Sequence, residues 1–252
     1  MKKILFPALG LIFLLACNEP LPVLNDAENT QLKSGNSESS TFTLSGSIDI
    51  GSKGAAEISA FDPITNRLFV VNNSAGNNRI EVVDFSDPSS PSVIDNINTA
   101  IYGGLVNSVS VSNGKLAAAI EATVKTNNGK VLVFNTGDYS VLATVEVGAL
   151  PDMVAFSPDG NMIISANEGE PNDAYTIDPV GTVSIILVNE DYNVTTLDFS
   201  GFESRADELK AKGFRIFGKN ASFAQDINPS MLPYLKTRKQ HGLLYRRIMV
   251  LL

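Results

Sequence analysis

The chain has 252 residues, 44% apolar and 18% charged, with 19 Gly and 12 Pro, which suits a folded, turn-rich protein and excludes disordered, collagen-like and coiled-coil chains. Basic residues number 19 against 27 acidic, a net charge of −8, and an acidic surface repels phosphate backbones, so nucleic acid is not an expected partner. One Cys rules out an internal disulfide, and one His (His241) with no Trp speaks against His-built zinc sites and His-based catalytic triads.

Lys2 and Lys3 precede an apolar run from Ile4 to Ala16, the order of a secretory leader and too short for a membrane-spanning helix. The run ends Leu14-Leu15-Ala16-Cys17, which resembles a bacterial lipobox; the alternative is an ordinary leader with a chance Cys. The resemblance implies cleavage before Cys17 and acylation of that residue. Several acyl chains then hold the protein on a membrane without a transmembrane helix, in the bacterial cell envelope, facing periplasm or exterior. Residues 1–16 are thus the expected signal peptide. Residues 17–46, rich in Asn, Glu, Pro, Ser, Gly and Thr, form an expected flexible tether.

From Thr41 onward the pattern is short apolar runs broken by Asn-Gly, Asp-Gly, Gly-Asn and Asp-Pro, which signals many antiparallel strands. Pro151–Phe156, a Ser157-Pro158-Asp159-Gly160 hairpin, Met162–Asn167 and Gly181–Ile186 give the clearest unit. Ile58–Asp62, Arg67–Asn73 and Arg79–Asp84 form an earlier copy. A weaker one runs Val106–Ser112, Gly114–Glu121 and Gly129–Phe134. Copies starting at Ala55, Val106 and Pro151 repeat at the length of a four-stranded propeller blade. The expected fold is all-β: a partial β-propeller over 47–229, about three blades and part of a fourth.

Val154-Ala155-Phe156-Ser157-Pro158-Asp159-Gly160 followed by Ile164-Ser165-Ala166-Asn167-Glu168 resembles YVTN-type propeller repeats. With Asn167-Glu168-Gly169-Glu170-Pro171 and Tyr175–Ile186, the chain resembles the choice-of-anchor I family over roughly residues 45–229. That resemblance implies an exported bacterial propeller; some such proteins are described as alkaline-phosphatase-like.

Asn167, Glu168, Glu170 and Asp173 put four oxygen-bearing side chains in one loop after a strand. Hard cations bind such oxygens, so Glu168, Glu170 and Asp173 are candidate calcium ligands, the alternative being a solvated acidic loop. Glu121 holds the corresponding place in the second copy, so Glu121 and Asn167 are candidate ligand-binding residues on a shared propeller face. The leading functional reading is a membrane-anchored surface binding or scaffold module; the rival is a metal-assisted phosphoester hydrolase using these carboxylates.

An expected helical insertion spans 202–218, either a lid on the binding face or a packing excursion over blade surface, and Lys219 and Asn220 follow without a Gly-rich phosphate cradle. All acidic residues precede Pro229, whereas 230–252 carries Lys236, Arg238, Lys239, His241, Arg246 and Arg247. Read one base out of register, this stretch permits Tyr-Val-Ala-Leu-Ser-Glu-Asp, which aligns with Met153–Asp159. The expectation is an out-of-frame tail on a truncated propeller; the alternative is a genuine basic extension for acidic lipid.

Overall fold

The computed structural model describes residues 43–218 and 221–230. The leader, Cys17, most of the tether, Lys219, Asn220 and residues 231–252 lie outside the described residues. The chain divides into two units, Met1–Thr43 and Leu44–Leu252, and the strands belong to the second.

Among the described residues, twelve strands form three antiparallel sheets of four, each in simple sequential order. The first holds β1 (Ala55–Asp62), β2 (Arg67–Asn72), β3 (Arg79–Asp84) and β4 (Ser92–Asn98). The second holds β5 (Val106–Ser112), β6 (Lys115–Ile120), β7 (Asn128–Asn135) and β8 (Val141–Ala149). The third holds β9 (Pro151–Phe156), β10 (Met162–Asn167), β11 (Thr182–Leu187) and β12 (Asn193–Asp198). The blades begin at Ala55, Val106 and Pro151, as the repeat predicts. This is an all-β partial propeller, with β1, β5 and β9 the neighbouring strands of successive blades.

Alternation along each central strand decides which blade a side chain meets. Leu116, Ala118 and Ile120 of β6, with Leu132 and Phe134 of β7, face the first blade and pack on Phe69, Val71, Ile80 and Val82. Ala117, Ala119, Val131 and Val133, one residue out of step, face the third blade and meet Val154, Ile163 and Ile186. A middle blade buried on both faces therefore reads as continuous apolar runs.

Polar ties fix the blades against each other. The Asn73 amide donates to the Val106 carbonyl (2.9 Å) and accepts from the Val106 N–H (3.1 Å). Asn107 donates to the Pro151 carbonyl (3.0 Å), and the Ser108 hydroxyl accepts from the Val154 N–H (3.2 Å). Arg67 reaches across to the carbonyls of Thr136 and Gly137 and lies over the Tyr139 ring.

After β12 come a 3-10 turn, Ser200–Arg205, and one short helix, α1 (Ala206–Ala211). The helical stretch starts two residues before the expected 202 and includes α1. Phe202, Ala206, Leu209 and Ile216 pack with Phe223, Ala224 and Ile227 against Ile164 and Val183, on the face of the third blade turned away from the second. The Glu203 carboxylate accepts the N–H groups of Phe223 and Ala224 and so ties this segment to the returning chain. The insertion is thus a packing excursion that covers blade surface.

Candidate functional site

Each blade puts the start of its first strand, the end of its second and the connection to its third at one end. A backbone bond marks that end in every blade. The N–H of Asn73, Glu121 and Glu168, each one residue beyond the second strand, donates to the carbonyl of Gly54, Leu105 and Leu150, each one residue before the first. Glu121 and Glu168 are therefore equivalent positions, as the repeat predicts, and Asn73 is the third. Loops 73–78, 99–105, 121–127 and 168–181 gather at this loop end; the tight β-turns occupy the other.

Contacts between the loops follow. Asn78 donates to the Gly104 carbonyl (3.0 Å), and the Gly104 N–H donates to the carbonyl of Glu121 (2.7 Å). The Glu121 carboxylate accepts from the Leu105 N–H (3.3 Å). Lys125, in the second blade's loop, pairs with Glu170 in the third blade's at 3.4 Å.

Glu168 sits half-buried with carboxylates around it. Burial, then the charges of Asp152 and Glu170, push its carboxyl up to about 7. Asp152, on β9, is raised by burial first and then by Glu170 and by Glu57 of β1. Charges from the first and third blades thus act on Asp152, and Asp152 and Glu170 act on Glu168. At the second blade's loops, an open pocket of about 310 Å³ is bordered by Tyr102, Glu121, Val124 and Lys130.

The expected site residues divide. Glu121, Glu168 and Glu170 all lie at the loop end, Glu168 under the charge of Glu170, and Asp173 is exposed on the loop that carries Glu168 and Glu170. Asn167 is 0% exposed, and its amide donates to the hydroxyls of Thr182 and Ser184 (both 3.0 Å) and accepts from Ser165 (2.9 Å), which ties it into the blade interior. Strand parity turns it toward the second blade, where a Cβ on Gly148 would overlap the Thr182 hydroxyl. Among the described residues, no group of three or more His, Cys, Asp or Glu side chains is placed to hold a metal ion such as calcium. Sequence reasoning missed Lys125, Asp152 and Glu57, which come near the loop-end carboxylates only through the packing of different blades.

Three four-stranded blades with their loops drawn to one end define a propeller module whose loop end is its candidate binding face. The chain belongs to the choice-of-anchor I domain family, whose model matches residues 57–240, past Pro229. It is accordingly a bacterial propeller module of the surface-exposed kind.

Solved structures give distant likenesses. Hydrazine synthase of Kuenenia stuttgartiensis is 20% identical with a TM-score of 0.43, over 56% of this chain and 37% of that one. The Pan2 WD40 domain of Neurospora crassa is 14% identical with a TM-score of 0.41, over 57% and 40%. A eukaryotic initiation factor is 12% identical with a TM-score of 0.41, over 61% and 34%. In each case the match spans well under two thirds of the solved chain. Among curated proteins none matches this chain.

Proposed function

We propose that the protein is an exported binding or scaffold module, anchored in the bacterial envelope by lipid on Cys17, that engages its ligand with the loop end of its blades. The observation that carries this reading is the gathering of loops 99–105, 121–127 and 168–181 at one end, linked by Gly104–Glu121 and Lys125–Glu170. A face built from several blades on a rigid β scaffold is where such folds place recognition. Family membership supports surface exposure, and the lipobox-like Leu14-Leu15-Ala16-Cys17 supports the anchor.

The test is expression of the full chain in a bacterial host fed an alkyne-tagged fatty acid. The tag should appear on the wild-type chain and fractionate with membranes, and Cys17→Ser should lose both label and membrane. Unlabelled, freely released wild-type protein would contradict the anchor.

A further inference from the structure

Several exposed apolar side chains stand at the loop end, beside its carboxylates. Ile101 (75% exposed), Val124 (57%), Tyr175 (63%) and Ile177 (56%) stand on three different loops there. Tyr175 and Ile177 are held outward by a turn in which Asn172 accepts from the N–H groups of Thr176 and Ile177 and donates to the Thr176 hydroxyl.

The charge of the same face is negative. Glu121, Asp152, Glu168 and Glu170 lie among these loops. Of the cations beside them, Lys125 is paired with Glu170 and Lys130 donates to the Tyr102 carbonyl (3.2 Å). Val124 and Glu121 border the same open pocket, so apolar and anionic groups are interleaved rather than segregated. An occupant complementary to this face brings cations and apolar groups together. Nucleic acid and anionic lipid are repelled by the carboxylates.

We propose that the loop end of the second and third blades binds a basic, partly apolar polypeptide segment, with Ile101, Val124, Tyr175 and Ile177 supplying apolar contact and Glu121, Glu168 and Glu170 meeting its cations. This rests on the loop end being the binding face and names the class of partner.

The test measures fluorescence anisotropy of the full chain with three labelled twelve-residue peptides, Lys/Leu, Lys/Gly and Glu/Leu, together with sedimentation with phosphatidylglycerol vesicles. The Lys/Leu peptide should bind about tenfold tighter than either control, weakening as salt rises. Val124→Ser/Ile177→Ser and, separately, Glu121→Gln/Glu170→Gln should each weaken it about fivefold or more. Ile64→Ser/Glu190→Gln, at the opposite end, should bind as wild type, and all variants should share the wild-type circular dichroism spectrum.

Equal binding of the three peptides would overturn the proposal, as would preferential sedimentation with the anionic vesicles. If Glu/Leu binds best and the loop-end variants abolish it, the basic partner is wrong and the binding face stands. If only the opposite-end variant loses binding, both fall.

Discussion

Asn167 and Glu168 are adjacent in sequence but occupy opposite environments. Asn167 closes a buried hydroxyl network, so Asn167→Ala strands the partners of three hydrogen bonds and should cost about 2–3 kcal/mol in urea unfolding. Glu168 is raised to about 7 by burial, Asp152 and Glu170, so the folded chain holds a proton more tightly there than the unfolded chain does. Its penalty is absent below the ordinary Glu value, grows as pH rises between the two values, and is complete above about 7. After discounting for partial exposure, the loss should be roughly 1–2 kcal/mol between pH 4.5 and 8, and Glu168→Gln should flatten that limb of a stability–pH curve. At the turns the sign reverses. Hydrogen bonds from Ser86, Ser89 and Ser140 lower the carboxyls of Asp84, Asp87 and Asp138, whose contribution is lost as pH falls through those lowered values. The Asn-Glu pair was visible in the sequence, but the side of the blade each faces depends on strand parity and on which neighbouring blade is present.

Among the elements, first strands and central strands were readable because alternation and turn residues frame them. The outermost strands β4 and β12 were not, since they are exposed along most of their length and carry no apolar pattern to detect. The insertion was legible as helix but not in purpose, because its apolar residues find their partners in Ile164, Val183 and Phe223, which only tertiary packing reveals. Phe223→Ala should cost about 3–4 kcal/mol and make Lys210 and Lys212 earlier sites of tryptic cleavage. Gly148→Ala, which drives a methyl into Thr182 and Asn167 across the blade interface, should cost about 1–3 kcal/mol in the same unfolding assay.

Across the whole molecule, the two ends are built differently. At the turn end Asp84, Asp87 and Asp138 each accept from the hydroxyl and the N–H of the Ser two residues on, while the loop end carries interacting carboxylates and exposed apolar groups on loops from different blades. Three blades are enough to build that face, because the Gly104–Glu121 and Lys125–Glu170 contacts need only neighbours. The most direct test of the account is a short cross-link between Lys125→Cys and Glu170→Cys in the full chain. Gathering of the second and third blades' loops at one end predicts efficient linkage for this pair and none for Asp138→Cys with Glu170→Cys. Linkage of the second pair, or failure of the first, would contradict it.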